Sequence, residues 1–183
     1  MRDTELYRSE TARGISAALK DIETNKLNEF IDLIESKDRV FFSGAGRSLL
    51  MIKAFAMALM QIGKTVYVTG EVCTPSIQKG DLLIAASCSG ETKSLLLFVE
   101  EAKKAGAEVA LITGRADSSI GKLSDFVLTM GYKPEEGAVS NGWLTDNRFE
   151  QSIVPLGDCV MEYIARDNNK TNETIASNHA NME

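Results

Sequence analysis

The chain has 183 residues, 44% of them hydrophobic, which is enough for one substantial core, and no shift in composition marks a second domain. Twenty Lys and Arg against 26 Asp and Glu leave a formal charge of −6, which argues against a surface built to neutralise nucleic acid but leaves room for a small anion in a locally positive pocket. Cys73, Cys88 and Cys159 are odd in number and lack CxxC spacing, so they support neither a disulfide framework nor a metal site. No signal segment and no apolar run of roughly 18 residues is present, which predicts a cytoplasmic protein with no membrane partner.

In chain order, Ile15, Ala18, Leu19 and Ile22, then Leu27, Phe30, Ile31 and Ile34, recur at helical spacing and predict two amphipathic helices with a break near Asn25. Residues 1–38 are thus expected to pack on the main domain or at a subunit interface; an apolar helix face serves either. Val40 to Ser43 reads as a short apolar strand running into Gly44-Ala45-Gly46 and a helix from Ser48 to about Ile62. Thr65 to Thr69, Leu82 to Ala86, Val109 to Thr113 and Phe126 to Met130 read as further strands, with helices over Lys93 to Ala105 and Ser118 to Leu123. Gly131 to Asn147, with Pro134, Gly137 and Gly142, reads as a long loop of the kind that lies over a site. A last helix runs from Arg148 to Ala165, where Pro155 is expected to bend it or displace its start. Residues 167–183 are polar and read as a tail.

Strands alternating with helices require right-handed crossovers. The expected fold over residues 39–166 is therefore a three-layer α/β/α sandwich around a mostly parallel five-stranded sheet, with ligands at the carboxyl ends of the strands.

Two strand-to-helix turns carry the candidate chemistry. In Gly44-Ala45-Gly46-Arg47-Ser48 the glycines allow a ligand to approach the backbone, and open amides at the helix start favour phosphate. The turn lacks the third glycine of a dinucleotide site and the lysine of a P-loop, and by itself it is equally a structural turn. Ser87-Cys88-Ser89-Gly90-Glu91-Thr92 gathers three hydroxyls with several amides, which suits a monophosphate. Ser89 or Thr92 would also be an ordinary N-cap.

These turns, together with Lys53-Ala54-Phe55-Ala56-Met57, Gly70-Glu71, Thr74-Pro75, Lys79-Gly80-Asp81-Leu82-Leu83-Ile84 and Ser89-Gly90-Glu91-Thr92-Lys93-Ser94, resemble the 6-phospho-3-hexuloisomerases of the sugar isomerase (SIS) type. The resemblance extends over most of Val40 to Val160. His179-Ala180-Asn181-Met182-Glu183 is similar to the ending of family members, which implies a complete C-terminus.

The resemblance implies an SIS fold assembled as a homo-oligomer, a tetramer, and a small phosphorylated sugar as substrate. The implied reaction interconverts 3-hexulose 6-phosphate and fructose 6-phosphate, with no metal and no organic cofactor. Gly46, Arg47, Ser48, Ser87, Ser89, Gly90 and Thr92 would surround the phosphate, with Glu71 a weaker site candidate. Moving a proton between adjacent carbons needs a base. Glu150 matches the family's Phe-Glu pair and is the candidate, although a glutamate in a first helical turn also serves the helix dipole. His179, the single histidine, is a candidate proton shuttle or a solvated tail residue.

Departures from the family pattern are Gln61, where many members carry histidine, the 144–148 loop, Pro155, and the milder Cys73 and Cys88. They keep open an isomerase for another sugar phosphate, or a non-catalytic phosphosugar sensor. A nucleotide-binding α/β module is a third reading, because fold alone fixes no function.

Overall fold

The computed structural model describes residues 4–131 and 147–182. Helices α1 (Thr4–Lys20) and α2 (Thr24–Glu35) lead into β1 (Arg39–Gly44), α3 (Gly46–Gln61) and β2 (Thr65–Val68). Then follow β3 (Leu82–Ala86), α4 (Lys93–Lys104), β4 (Glu108–Thr113), α5 (Ser119–Leu123), β5 (Phe126–Thr129), α6 (Asn147–Asp167) and α7 (Asn172–Asn178). The long loop expected between β5 and α6 lies, apart from its ends, outside the described residues.

All five strands are parallel, in the order β2-β1-β3-β4-β5. The central strands read as continuous apolar runs because both sheet faces are covered: all five residues of β3 are buried. Successive side chains alternate between faces. Phe42, Ile84, Ala110 and Leu128 pack with Phe30, Phe55, Leu59 and Leu156 from α2, α3 and α6. On the opposite face, Phe41, Leu83 and Leu111 pack with Leu95, Val99 and Ile120 from α4 and α5. Each Leu, Ile, Val or Phe side chain taken fully from water contributes about 1.5–3 kcal/mol before chain entropy is charged against it.

The amino ends of the strands are tied by Asp81, whose carboxylate accepts from Arg39 Nε at 2.8 Å and Nη2 at 2.5 Å and from the Gln78 amide at 2.6 Å. Lys64, after α3, donates to the Glu35 and Lys37 carbonyls at 3.0 and 2.8 Å. Asn168, at the foot of α6, donates to Glu35 Oε1 at 2.5 Å. The carboxyl-terminal ends of α2, α3 and α6 therefore meet below the sheet, and α3 and α6 run parallel with both N-termini above it.

The break between the first two helices falls at residues 21–23, near Asn25 as expected. Two features depart from the sequence reading. Pro155 lies within α6, which continues through it from Asn147 to Asp167. Only the hydrogen bond to the Gln151 carbonyl is forfeited, since proline has no N–H. The polar tail contains α7, held by a capping box in which the Thr171 side chain and backbone bond reciprocally with Thr174.

Candidate active site

The order β2-β1-β3 creates a topological switch. From β1 the chain crosses to α3 on one face, and from β3 it crosses to α4 on the other. Ala86 and Gly44, the last residues of the two strands, are register partners, so their following turns lie side by side at the carboxyl edge, the place where open α/β sheets bind ligands.

Each turn is built to expose backbone donors. Gly46 has φ +56°, a conformation that a side chain would strain, and opens α3 directly after the extended N-cap Ala45. Neither Ala45 nor Thr92, the N-cap of α4, caps its helix with a side chain, so both helix starts carry first-turn amides without a side-chain cap. Ser48 is buried and Arg47 exposed; Arg47 makes no ion pair among the described residues.

The second turn is internally braced. Ser87 Oγ lies 3.0 Å from Thr92 Oγ1 and accepts from the Gly90 amide at 3.1 Å, while Ser89 Oγ accepts from the Glu91 amide at 3.2 Å. Thr92 thus occupies the N-cap position but spends its hydroxyl on Ser87. Gly90, φ +67°, is buried against Ser118, whose hydroxyl occupies the space a Cβ would need. Beneath the first loop, Ser43 and Thr69 join β1 to the end of β2 through a 2.6 Å hydroxyl pair.

Glu150 stands in the first turn of α6. Gly157 of α6 lies against the Phe55 ring of α3. Seven residues back on either helix is two turns, about 10 Å along the same face, so Glu150 and Ser48 both lie above this contact on facing helix sides. Oε2 of Glu150 is buried with no hydrogen-bond partner, an arrangement that leaves a strong acceptor unused at the level of Ser48. Gln151 Oε1, which sequence reasoning did not single out, is likewise buried and unpartnered.

Two other candidates lie elsewhere. Glu71 is exposed beyond β2 and ion-paired with Lys53. It lines a groove of about 230 Å³ between the segment after β2 and α4, over Phe41 of β1 and Leu83 of β3, with Thr74, Pro75 and Phe98. His179 follows α7, and its neighbour Asn178 donates to the Gln61 carbonyl at 3.1 Å, at the lower end of α3. From Ser48 to Gln61 is thirteen residues of helix, about 20 Å, so within one chain His179 sits at the opposite edge of the sheet from Glu150. Gln61 shares that end with it.

Among the described residues, no cluster of three His, Cys, Asp or Glu side chains could hold a metal ion, and no helix is long and apolar enough to cross a membrane.

Residues 32–155 match the SIS domain family model. The chain is 35% identical to the 3-hexulose-6-phosphate isomerase of Bacillus subtilis over the full length of both proteins. It is also 35% identical to that of Methylomonas aminofaciens, covering 85% of this chain and 87% of the relative. Among solved structures, a Methanococcus jannaschii protein for which a 3-hexulose-6-phosphate isomerase function was inferred superposes with a TM-score of 0.82 at 29% identity. That superposition covers 94% of this chain and 97% of the other.

Proposed function

This chain belongs to the SIS domain family and, within it, to the 3-hexulose-6-phosphate isomerases, also called 6-phospho-3-hexuloisomerases; from that premise we propose that it interconverts 3-hexulose 6-phosphate and fructose 6-phosphate. The observation that carries the reading is the buried, unpartnered Oε2 of Glu150 at the level of the two phosphate-type loops, in a chain aligned end to end with a relative of that activity.

In this mechanism the phosphate rests on the amides and hydroxyls of Gly46 to Ser48 and Ser87 to Thr92, with Arg47 supplying positive charge at the rim. Glu150 takes the proton from C2 of the hexulose while O3 gains a proton, giving a 2,3-enediol; Glu150 then delivers a proton to C3 as O2 gives up its own, so the carbonyl moves from C3 to C2 and the net oxygen-bound proton passes from O2 to O3. Helix-start amides and hydroxyls steady the oxygen on which negative charge develops. Glu71, paired with Lys53, lines the neighbouring groove and does not enter proton transfer.

His179 enters this scheme only across a subunit boundary, donated by a neighbouring chain of a homotetramer to ring-oxygen or hydroxyl proton transfer. The enzyme acts in the cytoplasm without metal or organic cofactor, as a step of ribulose monophosphate metabolism. Gln61, the departure that keeps a sensor open, lies far down α3 from the Glu150 of its own chain.

The test is turnover by the purified protein across a panel of ketose and aldose phosphates, monitored by formation of fructose 6-phosphate. Turnover of 3-hexulose 6-phosphate above the rest of the panel is expected. Binding of sugar phosphates without any turnover would instead favour the sensor.

A further inference from the structure

The Ser87–Thr92 loop does not hold its shape alone. Its outer side rests on the segment that opens α5, and three contacts make the joint. The Ile120 amide donates to the Gly90 carbonyl at 3.1 Å, and the Ser118 hydroxyl fills the space beside Gly90 Cα. The Ser119 amide donates to Glu91 Oε1 at 3.0 Å. Ser118 is itself fixed, its Oγ accepting from the Gly121 amide at 3.1 Å. Thr113 braces the joint from below, donating to the Cys88 carbonyl at 3.2 Å, and the Gly114 amide reaches the same carbonyl at 3.0 Å.

Glu91 is the one acidic side chain inside this loop, and a carboxylate beside a phosphate site is repulsive unless it is directed elsewhere. Here it is directed away, onto the Ser119 amide. Hydrogen bonding from Ser119, aided by the positive charges of Arg115 and Lys122, holds its carboxyl below the ordinary glutamate range. The Asp117 carboxylate is neutralised by Lys122 Nζ at 3.0 Å.

We propose that Glu91 is a positioning residue that latches the phosphate loop to the start of α5, so that loop amides and hydroxyls are set for a phosphate ester before it arrives. The role rests on the phosphosugar reading above. A preset loop spares a ligand the cost of ordering its own site, so loss of the latch weakens binding and leaves the proton-transfer step alone.

Three variants separate this from a merely structural role. Glu91→Ala removes the acceptor, whereas Glu91→Gln retains a carbonyl oxygen at the same place. Ser119→Pro removes both the N–H and the hydroxyl through which Ser119 bonds the carboxylate, at the first position of a helix where proline is well tolerated, and leaves Glu91 itself in place. Calorimetric Kd for fructose 6-phosphate and steady-state constants for isomerisation are measured on each purified full-length protein. The expected result is a Kd and KM raised about tenfold in Glu91→Ala and Ser119→Pro, with kcat within about twofold of the parent and Glu91→Gln close to wild type. Unchanged Kd in Glu91→Ala or Ser119→Pro overturns the proposal, as does a kcat loss matching the KM change or a Glu91→Gln defect as large as that of Glu91→Ala. Wild-type binding without turnover removes the isomerase reading but leaves the latch testable through Kd. A wild type that binds no sugar phosphate removes both.

Discussion

Gly157 of α6 and Phe55 of α3 are packed so closely that a Cβ on Gly157 would stand 2.7 Å from the ring carbon Cγ. This contact fixes the height of α6 against α3, and with it the level of Glu150 above the sheet.

Gly157→Ala should therefore destabilise the protein, although alanine gains about 1 kcal/mol over glycine inside a helix. Overpacking costs about 1–3 kcal/mol and dominates here, because both Phe55 and Gly157 are buried and the new methyl would also stand 2.8 Å from Phe55 Cβ, an atom held by its own backbone. Chemical denaturation checks the sign. A fall in kcat beyond that explained by unfolding would show that the contact also sets the base.

The latch at Glu91 has a pH signature. Its carboxyl lies below the ordinary range when folded, so the unfolded chain binds the proton more readily. The stabilisation from its charge is fully present above the ordinary glutamate pKa and is lost as pH falls through the lowered folded value. Calorimetric melting of wild type and Glu91→Gln between about pH 7 and about pH 3 should show a Tm gap that holds near neutrality and closes at the acid end. A gap that widens on acidification contradicts the latch.

His179 and Glu150 lie at opposite edges of one chain, so the proposed pair forms only between chains. Glu150→Gln and His179→Ala proteins should each be strongly impaired. Mixing them after reversible dissociation should restore activity, because some sites then draw an intact residue from each parent. No recovery on subunit exchange removes His179 from the mechanism.

The strands and the loops were legible from the sequence for one physical reason. Buried parallel strands appear as apolar runs, such as Leu82 to Ala86, and each run ends where glycine and hydroxyl residues begin. Ser87 and Thr92 were legible as a cluster, but the bond between them was not, because the N-cap reading assigned Thr92's hydroxyl to its own helix. Helix α7 buries no residue and offers no periodicity, so only its capping box marks it. The place of His179 depends on the bond between Asn178 and Gln61, 117 residues apart, and the latch depends on Glu91 meeting Ser119, 28 residues on. Neither pairing leaves a local pattern. Pro155 does not displace the start of α6, because α6 packs along α3 and against α1 and that packing outweighs the backbone bond the proline forfeits.

The central claim is that Glu150 carries a proton between C2 and C3 of a hexulose phosphate. It is tested most directly by following 3-hexulose 6-phosphate in deuterated water by proton NMR with wild type and Glu150→Gln. The proton held on the Glu150 carboxyl at the enediol stage is open to exchange with solvent, so the account predicts fructose 6-phosphate carrying deuterium at C3 with wild type, and a rate about 10²–10⁴-fold lower with Glu150→Gln. Product formed at an undiminished rate by Glu150→Gln would contradict it.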